Sequence, residues 1–233
     1  MLQMKSRFPL ETYLILIVNI WVAIIVSGYH WDVSILQRFG AVSGQMPTIQ
    51  AWVELIPVRE AQALHLLESY PSLNNVLSGI PLFIFRTLSA SFLHFSWSHL
   101  FGNALSLWVI GKLYENVNYR GTFLVVYVVT GIVAMSSAAI LQPDVVTAGA
   151  SGSVFGLMGA SFILSKRATR LALRGHLPQP AYMGYTRLGK LVYALLVYNL
   201  ISTFVLPGIS IIGHISGLIA GLLIGLIIPI KQW

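Results

Sequence analysis

Residues 149–167 read GASGSVFGLMGASFILSKR, a serine between small residues at the start of an apolar run that ends on a basic pair. From Ser151 to Leu164 the run holds about 14 residues, which as a helix cover about 21 Å of a hydrocarbon core about 30 Å thick. With Lys166 and Arg167 held at one membrane face, Ser151 lies roughly 10 Å below the other. The preceding segment, 142–150, then carries irregular backbone into the bilayer. Such backbone is tolerated only where protein or water surrounds it.

The rest of the chain places this run in a membrane protein. Of 233 residues, 56% are hydrophobic and 9% charged, a balance far from that of soluble domains. Hydropathy gives six candidate spans, at 13–27, 97–113, 122–141, 151–164, 188–206 and 211–230. The expected fold is an all-α membrane protein, one bundle of six transmembrane helices whose short fourth helix starts inside the bilayer. Residues 1–12 form a cytoplasmic N-terminal segment, 13–230 the membrane domain and 231–233 a cytoplasmic C-terminus. The first span follows Lys5 and Arg7 as a signal peptide would, but no A-x-A site is clear, so it is read as retained. The connection 29–91 carries Asp32, Glu54, Glu60 and Glu68 and an amphipathic piece at 51–67. It is read as an extracytoplasmic loop lying partly in the interface.

Charge sets the orientation. Alternating the connections puts Lys5, Arg7, Lys112, Arg120, Lys166, Arg167, Arg170, Arg174, Arg187, Lys190 and Lys231 on one side, against Arg38, Arg59 and Arg86 on the other. Eleven of the 14 basic residues thus mark the cytoplasmic face, with both termini inside. The net charge of +7 therefore follows the membrane and gives no ground for nucleic-acid binding. With no cysteine, disulfides, thiol nucleophiles and Cys-ligated metals are excluded.

Three polar side chains share the depth of Ser151. His214 lies about one turn into the sixth span, and His99 and Asn103 lie in the first two turns of the second, four residues apart on one face. Small residues recur every fourth position at Gly152, Gly156 and Ala160, and again at Gly213, Gly217, Gly221 and Gly225. Such stripes let helix backbones approach closely, and packing the fourth span on the sixth would bring Ser151 to His214. The stripes by themselves denote packing. A lone serine or asparagine in such helices also serves packing, whereas an intramembrane histidine demands a reason. His94 and Arg86 are read as loop anchors near the outer interface, and His30, His65 and His176 as solvated.

This inventory suits acyl transfer. A neutral imidazole can take the proton of a serine hydroxyl, and no acidic residue lies in the assigned spans, so Ser151 and His214 form the candidate dyad. Ser151 at a helix N-terminus offers its own backbone N–H to an oxyanion, and His99 and Asn103 add side-chain donors. A zinc mechanism lacks H-E-x-x-H or any similar cluster. An aspartyl mechanism lacks paired carboxyl groups, since Asp32 and Asp144 lie in outer connections. A transporter reading would use the break before Ser151 as a discontinuous helix, but it expects repeats or intramembrane charge, and neither is clear.

These motifs resemble the rhomboid family of intramembrane serine proteases. Gly149-Ala150-Ser151-Gly152 is similar to the family's G-x-S-G, which implies Ser151 as nucleophile, with Gly149 and Gly152 as its supporting glycines. His214, in Gly213-His214-Ile215-Ser216-Gly217, matches the general-base histidine. His94, His99 and Asn103 match an H-x4-H-x3-N pattern, implying His99 and Asn103 as oxyanion-hole groups and His94 as support.

Phe155 stands where a tyrosine commonly stacks on the histidine, Phe85-Arg86 where Trp-Arg is common, and 42–82 resembles an insertion. The resemblance implies cleavage of single-pass membrane proteins near the outer end of a transmembrane helix, with no metal or organic cofactor. It also implies a multi-pass protein of a prokaryotic plasma membrane, its active site opening to the extracytoplasmic side. The alternative within the same fold is an inactive client-binding relative.

Overall fold

A computed structural model describes residues 8–32, 36, 73–142, 145–206 and 208–232, with backbone alone for 73–79. Its helices are α1 (Leu10–Ser27), α2 (Leu73–Ala90), α3 (Trp97–Val117), α4 (Thr122–Leu141), α5 (Ser151–Leu173), α6 (Gln179–Val205) and α7 (Ile211–Ile227). The stretch 51–67, Arg38, Arg59, His65, Asp144, Lys5 and Arg7 lie outside the described residues.

α5 is the axis of the bundle. Every residue from Gly152 to Ser161 is buried, and α3, α4, α6 and α7 all pack on this helix. A helix enclosed on all sides needs small side chains where backbones meet. A Cβ on Gly217 would fall on the Gly152 backbone, one on Gly221 on that of Gly156, and one on Gly225 would come within 2.9 Å of the Ala160 carbonyl. The two small-residue stripes are thus in register, α5 against α7. On its next face Gly156 receives Thr130 of α4. Outward-facing positions are apolar instead, with Leu14, Ile17 and Trp21 on α1, Tyr198, Ile201 and Phe204 on α6, and Leu223 and Ile227 on α7 exposed. That exterior suits lipid, and the chain is an integral membrane protein.

Hydrogen bonds sort the bundle into two ends. At one, the Glu11 carboxylate accepts from the N–H groups of Gly121 (2.6 Å) and Leu124 (3.2 Å) at the start of α4. Glu115 accepts from the N–H groups of Glu11 (3.1 Å) and Thr12 (2.6 Å) at the start of α1. Each carboxylate so supplies acceptors to donors that a helix start leaves unpaired, and its charge suits that end of the dipole. Arg167 donates to the carbonyls of Gly225 (2.8 Å) and Ile228 (2.5 Å) at the end of α7, and the Tyr185 hydroxyl accepts from the N–H of Lys231 (3.0 Å). At the opposite end the Trp31 ring meets Trp97 edge-on at 5.5 Å, Gly149 N–H donates to Ala90 (2.8 Å), and Ser210 donates to Gln142 (3.1 Å).

Several boundaries differ from those read in sequence. The fourth helix starts at Ser151 but has 23 residues, so only its apolar part is short. Beyond Lys166 it continues through Arg170, because basic side chains are good helix formers even where hydropathy ends. α6 likewise starts at Gln179. The connection after α1 ends in an 18-residue helix, α2. Glu11 and Glu115 fall inside α1 and α3, so helices do carry acidic residues, at the end remote from His214. Three helices, α1, α4 and α6, are by themselves long and apolar enough to cross a membrane. Among the described residues α7 is apolar but short, at 17 residues, whereas α3 and α5 carry charged residues and groups of the candidate site.

Candidate active site

The site is assembled on helix starts. Ser96 caps α3 by accepting the N–H of His99 (3.1 Å), which fixes the first turn that bears the His99 ring. Phe95 N–H makes a long contact to His99 Nδ1 (3.5 Å), and the Phe95 ring stacks on the imidazole at 6.0 Å. With Nδ1 as acceptor, Nε2 carries the ring proton.

Gly149 shows where that proton points. Its φ of +127° is a backbone region that side chains rarely adopt, and a Cβ there would stand 2.9 Å from His99 Nε2 and 3.7 Å from Asn103 Nδ2. Two donors from α3 therefore converge on the backbone two residues before Ser151. Asn103 Nδ2 is buried and has no protein partner among the described residues. A buried amide donor costs free energy until an acceptor reaches it, so its setting favours an oxygen brought there.

Ser151 opens α5, and its half-buried hydroxyl enters no hydrogen bond among the described residues. As the first helical residue it has an N–H without an intrahelical carbonyl. Phe155, four residues on, shares its helical face, and a side chain there leans back over the turn that carries Ser151.

The Phe155 ring stacks on His214 at 4.4 Å with 23° between planes, and a Cβ on Gly152 would lie 3.5 Å from the Gly213 carbonyl. His214 is therefore held against the first turn of α5. Ser210 caps the start of α7, accepting from Gly213 N–H at 3.2 Å, and sets the turn from which His214 projects.

His94 departs from the loop-anchor reading. It is fully buried, and its ring meets His99 edge-on at 5.0 Å, so it packs behind the candidate donor instead of anchoring an interfacial loop. His30 and His176 are exposed, as a solvated reading requires, and Arg86 is half-buried on α2. Thr203 of α6 was not singled out from sequence, yet its hydroxyl oxygen lies 2.8 Å from His214 Nδ1. The only signal was a hydroxyl near the end of an apolar span, and the fold was needed to pair it with a residue eleven positions away.

Known proteins bear on this arrangement. The family model described as Rhomboid domain matches residues 83–231, more than half of the chain. The chain belongs to the rhomboid family. Among relatives, it is 31% identical over 133 residues to the rhomboid protease GluP of Bacillus subtilis (strain 168), covering 57% of this chain and 24% of that protein. It is 26% identical over 134 residues to the putative rhomboid protease YdcA of the same organism, covering 57% of this chain and 61% of that one. Rhomboid-like protein 11, chloroplastic, of Arabidopsis thaliana is 31% identical over 108 residues, covering 46% and 35%. The matches thus span between a quarter and three fifths of these relatives. The rhomboid match takes in α3 to α7 and so includes every side chain of the candidate site.

Proposed function

We propose that this rhomboid protein is an intramembrane serine protease that hydrolyses peptide bonds in or near transmembrane helices of single-pass membrane proteins. The carrying observation is the double convergence on either side of the start of α5, with His214 stacked on Phe155 from one side and His99 and Asn103 meeting Gly149 from the other. In this reading Ser151 Oγ attacks the scissile carbonyl carbon while its proton passes to His214. The oxyanion is held by His99 Nε2–H, the Asn103 amide and Ser151 N–H. Collapse expels the amine, which takes the proton from His214, and water then hydrolyses the acyl-enzyme with His214 again as base.

The membrane setting follows from the same reading. α1 and α3 to α7 supply six crossings, and the basic end faces the cytoplasm by the positive-inside rule, in a prokaryotic plasma membrane. Ser151 then opens to the extracytoplasmic side, where water is at hand. A scissile segment must leave its own helical hydrogen bonds before attack, which favours substrates with weak helices near that side.

In proteoliposomes the purified protein is expected to cut a single-pass test substrate carrying small, helix-weakening residues. Ser151→Ala and His214→Ala should each lower the rate by about 10³-fold or more. A wild-type rate in either variant would overturn the mechanism. Binding of the substrate by the wild type without cleavage would instead mark a client-binding relative.

A further inference from the structure

We infer that Thr203 is the positioning residue of the dyad, fixing the tautomer of His214 so that Nε2 is the nitrogen that receives the Ser151 proton. The inference rests on the reading of His214 as base. A hydroxyl has one proton to give. Thr203 gives it to the carbonyl of Asn199 one turn back, at 2.7 Å, as threonines in helices commonly do. Its contact with His214 Nδ1, at 2.8 Å, must then run the other way, with Nδ1–H donating to the threonine oxygen. The neutral imidazole is thereby the Nδ1–H tautomer, and its lone pair is on Nε2.

Placement supports the same assignment. Of the α6 residues that are buried, Ala181, Gly184, Tyr185, Leu188 and Val192 lie in the first half of the helix, and Thr203 stands alone near its far end, 2% exposed. Packing does not require a hydroxyl there. α6 otherwise touches α7 little, so this hydrogen bond ties the base to a helix that supplies none of the reacting groups.

A carboxylate does this work in a serine triad; here a neutral hydroxyl oxygen, itself oriented by a helix carbonyl, takes the place in a site without an acid. On attack, the Ser151 O–H bond breaks, its oxygen bonds the carbonyl carbon, and the proton goes to Nε2. The resulting imidazolium keeps its Nδ1–H on Thr203 and returns the Nε2 proton to the leaving nitrogen.

Three variants in proteoliposomes test this, with kcat and KM measured separately on the single-pass test substrate. Thr203→Val, close in shape but without the hydroxyl, should lower kcat about tenfold and leave KM unchanged. Thr203→Ser, which keeps the oxygen, should recover most of that loss. Equal kcat in Thr203→Val and wild type would overturn the inference, as would equal losses in the Val and Ser variants, which denote packing. His214→Ala separates the two levels: if it stays active the dyad itself fails, whereas its inactivity beside a normal Thr203→Val refutes only the role of Thr203. Nitrogen-15 NMR of histidine-labelled wild-type protein, compared with His214→Ala, needs no Thr203 variant. A His214 signal with protonated Nδ1 is expected, and protonated Nε2 would overturn the assignment.

Discussion

Each candidate catalytic side chain is held by a neighbour of modest chemistry. Gly149 gives the clearest case, because its left-handed φ and the His99 ring 2.8 Å from its Cβ position leave room for no side chain. Gly149→Ala is expected to lower the rate of substrate cleavage by about 10- to 100-fold, since it displaces a donor aimed at the oxyanion. Unfolding temperature should fall as well, because alanine is strained at that φ and its methyl group meets the His99 ring. Phe155→Leu removes the ring beneath His214, and with aromatic stacking worth about 0.5–1.5 kcal/mol the rate should fall by up to about tenfold. The candidate nucleophile, base and α3 donors could be picked out in the chain as residue types expected at one depth. Of their neighbours, Gly149 and Phe155 could be picked out by resemblance, but Thr203 and Ser210 could not: they are ordinary hydroxyls in the chain, and only the fold brings them to the His214 turn.

At the scale of elements, the α5–α7 seam holds the site together. Gly221 meets the Gly156 backbone so closely that even a methyl group must push the helices apart. Gly221→Ala should destabilise the protein by about 1–3 kcal/mol, read as reduced resistance to denaturant in detergent. At the far end Glu115 serves α1 as a cap from outside the helix, and Glu115→Gln should cost about 1–2 kcal/mol in the same measurement. The bounds of α4 could be read from sequence to the residue, because an uncharged, mostly apolar run lies between Gly121 and Gln142. Those of α5 and α6 could not, since hydropathy stops at the membrane while the helices continue into basic sequence. α2 was hidden inside a connection whose average polarity masks one apolar helix.

For the whole molecule, the division into two ends connects stability with chemistry. Carboxylate and guanidinium caps gather at the basic end, and the polar groups of the candidate site gather at the other, so the residues that fix helix ends are remote from those proposed to react. The proposed orientation is testable because the chain has no cysteine. In intact cells His30→Cys should react with a membrane-impermeant maleimide, and His176→Cys should react only after the membrane is permeabilised; the reverse pattern would invert the topology.

The most direct test of the central claim is the site at which a serine-directed fluorophosphonate attaches, located by mass spectrometry on the purified protein in lipid. The dyad predicts attachment at Ser151, lost in His214→Ala. An unlabelled Ser151 in the wild type, or undiminished labelling in His214→Ala, would contradict it.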